Sequence, residues 1–330
     1  MKTAFLHLGF HKTGTTSFQN DCHANTILLS EQNTSYPSLH NFHNPSITST
    51  NHSIALLTAF ASDPKKYPKK LGKRIEQGFA LKNNYHGDFR LNLETENDLI
   101  LSGEDIGALD HEDLYSLRSE IHSFGFNIKA IAIVRSPYSF HCSVTQESIN
   151  NGNHFIDFNK KGIDRRSEYI TKLLEVFENQ IKFYPFEAAK LHANGPSGFL
   201  AEKIGTKIKH HASPTTHSNQ GINNLRTRVK NVLNRKTAPL DLGHNETIRL
   251  LNAIEDNQPF LLTNHELEIN IKEFELENQK LHKLVGPQFC DTQFPTAANL
   301  DFNQISSIIA SILQTSQGQD IYLTKEQHRL

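Results

Sequence analysis

The sequence predicts an α/β fold with three layers: a central parallel sheet flanked by helices, and a mostly helical C-terminal part. Three observations predict it. Short apolar runs alternate with helix-period segments over roughly the first 190 residues, the pattern of a parallel sheet with crossover helices. The first run, Ala4–Leu8, closes at Gly9 and is followed within a few residues by a helix start at Thr15. A later run, 127–134 (NIKAIAIV), is the most apolar stretch in the chain and reads as a strand buried on both faces.

Each element follows from local pattern. Ala4–Leu8 is too short for a buried helix and reads as a strand. Thr15, Thr16 and Ser17 supply capping oxygens for the helix that continues through Gln19. Residues 32–53 are polar and irregular. Residues 54–82 read as helical, interrupted at Pro64 and Pro68. A second strand spans 98–102, a helix 112–124 ends at Gly125, and the 127–134 strand follows. Helices at 138–150 and 168–178 and a strand at 180–186 complete the alternation. Beyond about residue 187 strand signals fade, and helices are expected at 245–256, 266–284 and 303–315, with an exposed loop at 209–224. The expected organisation is one domain over 1–330, with a helical and loop insertion at about 32–97 and a helical region at about 190–330.

The totals exclude several classes. Lys plus Arg number 34 and Asp plus Glu 35. That balance argues against bulk nucleic-acid binding, which leaves a strongly basic domain. The three cysteines, Cys22, Cys142 and Cys290, stand far apart with no metal-type spacing, which fits a reducing compartment rather than a disulfide scaffold. The opening apolar run is too short for a signal peptide, and no stretch reaches the ~18 apolar residues of a membrane span, so the expectation is a cytoplasmic protein with no transmembrane segment. Histidine is abundant, at 19 residues. His40 and His43, with His52 nearby, sit in a loop-like segment that reads as surface histidines rather than a metal site.

The strongest motif is Gly9-Phe10-His11-Lys12-Thr13-Gly14-Thr15-Thr16-Ser17. Two glycines separated by four residues, between a strand and a helix, form a phosphate loop, because backbone N–H groups and a helix N-terminus converge on an anion. After Gly14, where a nucleoside triphosphatase carries lysine, stands Thr15; the lysine is Lys12, two residues before Gly14. The loop therefore suits a compact 5′-phosphate group held by Thr13, Gly14, Thr15, Thr16 and Ser17, with Lys12 beside the transferred group. This segment, His11–Ser17 with Gln19, resembles the P-loop sulfotransferase family in its bacterial, carbohydrate-sulfotransferase-like branch. The resemblance covers roughly residues 1–190. It implies a P-loop-type fold, a transferase activity, and 3′-phosphoadenosine 5′-phosphosulfate (PAPS) as nucleotide co-substrate, with no metal required and a saccharide or glycan hydroxyl as acceptor.

A 3′-phosphate needs its own donors. Arg135 follows the 127–134 strand at its carboxyl end, where open α/β sheets bind ligands, and its guanidinium suits a bidentate phosphate contact. Ser143, eight residues on, is placed to return to the same phosphate, and this Arg–Ser spacing matches the sulfotransferase pattern. The Arg-Lys-Gly run that cytosolic family members place over this phosphate is absent; Ser218–Gly221 with Arg226 or Arg228 is the best substitute.

For the base that takes the acceptor's proton, the candidate is Glu104, after Leu101-Ser102-Gly103, where Gly103 allows a tight turn and a close ligand approach; Asp105 and His11 are the alternatives. His141, Gln146 and Glu147 either line an acceptor cleft or pack. The basic run from Lys65 to Arg74 reads as a solvated helix face or as the border of a cleft for an anionic polymer. Two other functions compete: a small-molecule kinase or other nucleoside-triphosphate enzyme, and a non-catalytic nucleotide-binding protein of the same fold.

Overall fold

The computed structural model describes residues 2–40, 50–155, 158, 165–210, 223–235, 251, 254, 258–298, 305–307 and 309–310. Five strands, β1 (Lys2–Leu8), β2 (Thr34–Ser35), β3 (Asp98–Gly103), β4 (Phe126–Val134) and β5 (Ile181–Pro185), form one parallel sheet in the order β2-β3-β1-β4-β5. Every pairing is parallel. Ala4 stands opposite Leu99 on one side of β1 and Ile128 on the other, so the carboxyl ends of β1, β3 and β4 lie at one edge of the sheet. The chain leaves β1 towards β2 and leaves β3 towards β4, in opposite directions. Neighbouring strands whose connections diverge open a crevice between them, the place where open α/β sheets hold ligands.

Strand side chains alternate between faces, and each face is covered by its own helices. Ala4, Leu6, Leu8, Leu101, Ile128 and Ala132 pack into the larger core, under α3 (Ser53–Phe60), α4 (Lys69–Phe79), α5 (Lys82–Leu93), α6 (His111–Ser123) and α8 (Arg166–Phe177). Phe5, Ile100, Ile131 and Ile133 point the other way, towards α1 (Thr15–Ala24), α2 (Thr26–Ser30), α9 (Phe186–Leu191) and α10 (Gly195–Ile204). Leu6, Leu101 and Ile133 are inaccessible to solvent, each worth ~1.5–3 kcal/mol of burial. This is the three-layer P-loop-type α/β fold that the sequence predicts.

The chain divides into two compact units. The first runs through segments 1–136, 165–216 and 277–290 and contains the sheet. The second runs through 137–164, 217–276 and 291–330. It includes α7 (Pro137–Asn150), α11 (Asn224–Leu233), α12 (Asn264–Glu268) and the first residues of α13 (Ile271–Val285). Its core gathers Tyr138, Cys142, Phe158, Phe260 and Phe274. Arg228 is buried there, forked onto both oxygens of Glu266 at 2.8 Å, and the same carboxylate caps α12 through the Thr263 N–H.

The helix expected over 266–284 is two helices, broken after Glu268, and the stretch expected over 54–82 is also two, α3 and α4, separated around a 3₁₀ turn at Pro64–Lys66; α5, which begins where that stretch ends, was not expected. The helices expected at 245–256 and 303–315, and the loop at 209–224, lie largely outside the described residues.

Candidate functional site

The loop after β1 is shaped by two backbone positions. Gly14 lies at φ 85°, in the left-handed region, and Lys12 at φ 66° shares that conformation despite its side chain. Gly9 is needed for close approach: a Cβ there would sit 2.7 Å from Thr15 Oγ1 and 3.3 Å from the Glu104 backbone. The Gly9 N–H donates to the Gly103 carbonyl at 3.0 Å, stitching the loop to the end of β3. The Thr13 hydroxyl donates to the Phe10 carbonyl at 2.6 Å, and Thr13 and Thr15 are both buried, so these two hydroxyls brace the loop. Thr16 is exposed and Ser17 half-buried at the start of α1. The helix N-cap is Gly14, with no side-chain cap and no acid in the first turn. A helix opening of this kind presents backbone N–H groups and a partial positive charge to an anion.

Two carboxylates stand beside the loop. Glu104 and Asp105 follow β3, where the Asp105 N–H donates to Ser53 Oγ at 3.0 Å. The space at Gly103 is filled by Ser53 and Ile106, so close packing of α3, rather than a tight turn, is what this glycine serves. His11 spans both acids: Nδ1 lies 3.1 Å from Glu104 Oε2 and Nε2 lies 3.2 Å from Asp105 Oδ1. The hydrogen bond to Asp105, then that to Glu104, raise its pKa to about 10 in spite of partial burial. His11 is therefore a cation at neutral pH, with no lone pair to accept a proton. Burial works against the Asp105 carboxylate, but His11 and Arg74 outweigh it and hold its pKa below the ordinary value. Arg74 reaches Asp105 Oδ2 at 3.2 Å from α4.

Arg135 follows β4 and turns to the loop: its Nη1 donates to the Lys12 carbonyl at 3.4 Å, and its guanidinium lies 4.7 Å over the Phe186 ring. Lys12, His11, Glu104 and Arg135, predicted from three separate segments, thus meet at one edge of the sheet. Ser143 is half-buried on α7, in the second unit. In that unit His141 is buried against Phe158 and Phe274, Gln146 bonds Thr227, and Glu147 is exposed. Arg226 donates to the Ile254 carbonyl and Arg228 is committed to Glu266. Ser218–Gly221 lie outside the described residues.

Beneath the loop, a buried polar network ties β1 to β3. His7 Nδ1 and the Gln19 amide both reach Ser102 Oγ, at 2.8 and 3.3 Å. The Ser102 N–H donates to His52 Nδ1, and His52 Nε2 donates to the Pro37 carbonyl. Burial lowers His7 to about 3 and His52 to about 4, so both rings are neutral. Sequence reasoning missed this network, reading His52 among surface histidines although it is fully buried, named Arg74 only as part of the basic run, and missed Arg166, buried 5.3 Å over the ring of the loop residue Phe10. Arg74 carried a signal, as a cation on an amphipathic helix; Arg166 and the histidines carried none. His40 pairs with Asp88 at 2.7 Å, and His43 lies outside the described residues. Among the described residues no group of three His, Cys, Asp or Glu side chains is placed to hold a metal ion, and no helix is long and apolar enough to cross a membrane.

No family model matches the sequence, and no curated protein matches it. Among solved structures, the chain is similar to a sulfotransferase from Alicyclobacillus acidocaldarius, with 12% identity, 86% of this chain and 96% of that chain covered, and a TM-score of 0.44. It is also similar to a protein of the PezAT chromosomal toxin–antitoxin system of Streptococcus pneumoniae, with 14% identity, 66% and 82% covered, and a TM-score of 0.30. At such scores neither likeness bears on the site.

Proposed function

We propose that this protein transfers a sulfuryl group from PAPS to a hydroxyl of a saccharide. The observation that carries the reading is the meeting of three strand ends: the loop after β1 with Lys12, Glu104 after β3 held by His11, and Arg135 after β4 bonded to the Lys12 carbonyl. Two anion-binding elements and a carboxylate on adjacent strand ends are what a bisphosphorylated donor and a hydroxyl acceptor require. The loop fits a 5′-phosphate group: its left-handed positions and the uncapped start of α1 direct backbone N–H groups outward. Thr15, buried where a triphosphate loop carries lysine, speaks for a donor without a triphosphate.

When bound, the donor supplies a sulfuryl group activated by a phosphate leaving group. The chain's own residues supply position and charge. Lys12 opposes the negative charge that develops on the leaving side. Arg135 holds the 3′-phosphate by its guanidinium fork. Glu104 accepts the proton of the acceptor hydroxyl on a carboxylate oxygen, and His11, cationic, orients that carboxylate and stays charged throughout.

Titration with 3′-phosphoadenosine 5′-phosphate, monitored by thermal unfolding, tests the reading. A ligand that binds only the folded state raises the melting temperature by mass action. The bisphosphate is expected to raise it and ATP–magnesium to leave it unchanged. Stabilisation by ATP–magnesium alone would shift the assignment to a kinase, and no response to either would leave a non-catalytic fold.

A further inference from the structure

Away from the strand ends, Lys172 on α8 is a half-buried lysine without an ion pair among the described residues. Its Nζ donates to the Leu109 carbonyl at 2.6 Å and lies 4.5 Å over the Tyr169 ring. That carbonyl is itself held in place. It follows the Ile106–Ala108 3₁₀ turn, where the Leu109 N–H donates to the Ile106 carbonyl at 3.2 Å. The turn packs on α8: a Cβ on Gly107 would meet Tyr169 at 3.4 Å. The amine is therefore fixed in one place, unlike a solvated lysine that samples many rotamers. Burial lowers its pKa to about 8, against a weaker opposing pull from Asp110. At pH 7.5 about a quarter of such an amine is neutral, against about one in a thousand for an ordinary lysine.

Lys172 lines a cavity of about 560 Å³ shared with α13 and the first residue of α6, all within the sheet-bearing unit. Lys280 and Lys283, three residues apart on α13, line the same cavity and are exposed. Lys280 is loosely matched, 4.0 Å from Glu277, and Lys283 makes no ion pair among the described residues. The acids at the rim are already taken: Glu175 pairs with His111 at 2.6 Å and Glu168 with Arg165 at 3.2 Å. One cavity thus holds an amine that is readily neutral and two cations with charge to spare. The first is a nucleophile, and the second two suit an anionic leaving group.

We infer that Lys172 is a covalent modification site, acylated by a small acyl phosphate whose phosphate is held by Lys280 and Lys283. The neutral Nζ attacks the acyl carbon. A C–N bond forms, the C–O bond to the phosphate breaks, and inorganic phosphate leaves with the bonding electron pair. The proton lost from nitrogen passes to solvent, and the product is an uncharged amide. The inference stands apart from the sulfuryl-transfer reading and does not use it.

The test uses the full chain and a Lys280→Ser/Lys283→Ser variant, both changes at exposed positions. Each protein is treated with acetyl phosphate or with p-nitrophenyl acetate, an acetyl donor without a phosphate. Acetylation rates at individual lysines are read by peptide mass spectrometry, with exposed Lys65 and Lys69 as internal references. With acetyl phosphate at pH 7.5, Lys172 is expected to react about tenfold faster than the references. Its rate should level off above pH 8, while theirs climb to about pH 10. In the variant, acetylation of Lys172 by acetyl phosphate should slow about tenfold, and acetylation by p-nitrophenyl acetate should stay the same. A Lys172 rate no higher than the reference rates with both donors would overturn the inference. So would an unchanged rate with acetyl phosphate in the variant, or an equal loss with both donors.

Discussion

Glu104 and Arg135 stand one strand away from β1 on opposite sides, and their proposed roles separate in kinetics. Glu104→Gln keeps the shape and removes the proton acceptor. Turnover should fall about 10²–10⁴-fold with the bisphosphate affinity retained. Arg135→Ala should do the reverse, weakening the bisphosphate with a smaller effect on turnover at saturating donor; isothermal titration and steady-state rates on the same preparations check both. His11 adds a pH signature. Its pKa is raised from 6.5 in the unfolded chain to about 10 in the fold. The stability it contributes is therefore fully present below pH 6.5 and lost as pH rises through about 10. Compared with His11→Gln, the native protein should show its largest stability advantage near pH 6 and none above about 10.5. His11 is 59% exposed, so solvent keeps the effect small, and denaturant midpoints across pH are the sensitive measure. Of these residues, the loop, Glu104 and Arg135 were legible because each follows an apolar run at a strand end. Their mutual contacts were not, since no local pattern encodes a partner such as Lys12 for Arg135, 123 residues away.

At the scale of elements, legibility tracks burial. β1, β3 and β4 are covered on both faces and read as continuous apolar runs. β2 has two residues, Thr34–Ser35, at the sheet edge, and its polar sequence carries no strand signal. α2 and α9 are five and six residues long, too short for a helical period to emerge. The His7–Ser102–His52 bridge between β1, β3 and the start of α3 was invisible for a different reason. Its residues are polar, and an apolar pattern is blind to polar groups buried against one another. This bridge gives a second pH dependence of opposite sign. His7 and His52 have folded values of about 3 and 4, below the unfolded 6.5. As pH falls below 6.5 the unfolded chain takes up protons that the fold excludes, and stability drops by ~1.4 kcal/mol per pH unit for each ring. Urea unfolding between pH 7 and pH 4.5 should show that slope, and His7→Gln should remove about half of it.

For the molecule as a whole, the unit that holds the sheet is assembled from three stretches of chain, the last being 277–290. That stretch is structural: Leu281 is fully buried in the main core, and the Glu277 carboxylate takes the N–H and hydroxyl of Ser167 at 2.6 and 3.0 Å. Leu281→Ala should cost ~2–5 kcal/mol and lower the melting temperature, although the residue lies about 270 positions from the loop. A chain cut at residue 276 should lose cooperative unfolding, which circular dichroism on heating would show. The helical character of this region was legible. Its membership of the sheet-bearing unit was not, because the apolar face of α13 does not say which core it completes.

The same discontinuity sets a timetable for synthesis. The phosphate loop leaves the ribosome about 270 residues ahead of Leu281 and Phe289, which close the core on one face of its sheet. At ~5–20 residues per second, roughly 15–55 s separate the two. For that interval β1, β3 and β4 are present without their full cover, and their apolar faces are open to other nascent chains. Yield in a cell should therefore depend on holding factors that shield the growing chain, and slow translation should lengthen that dependence.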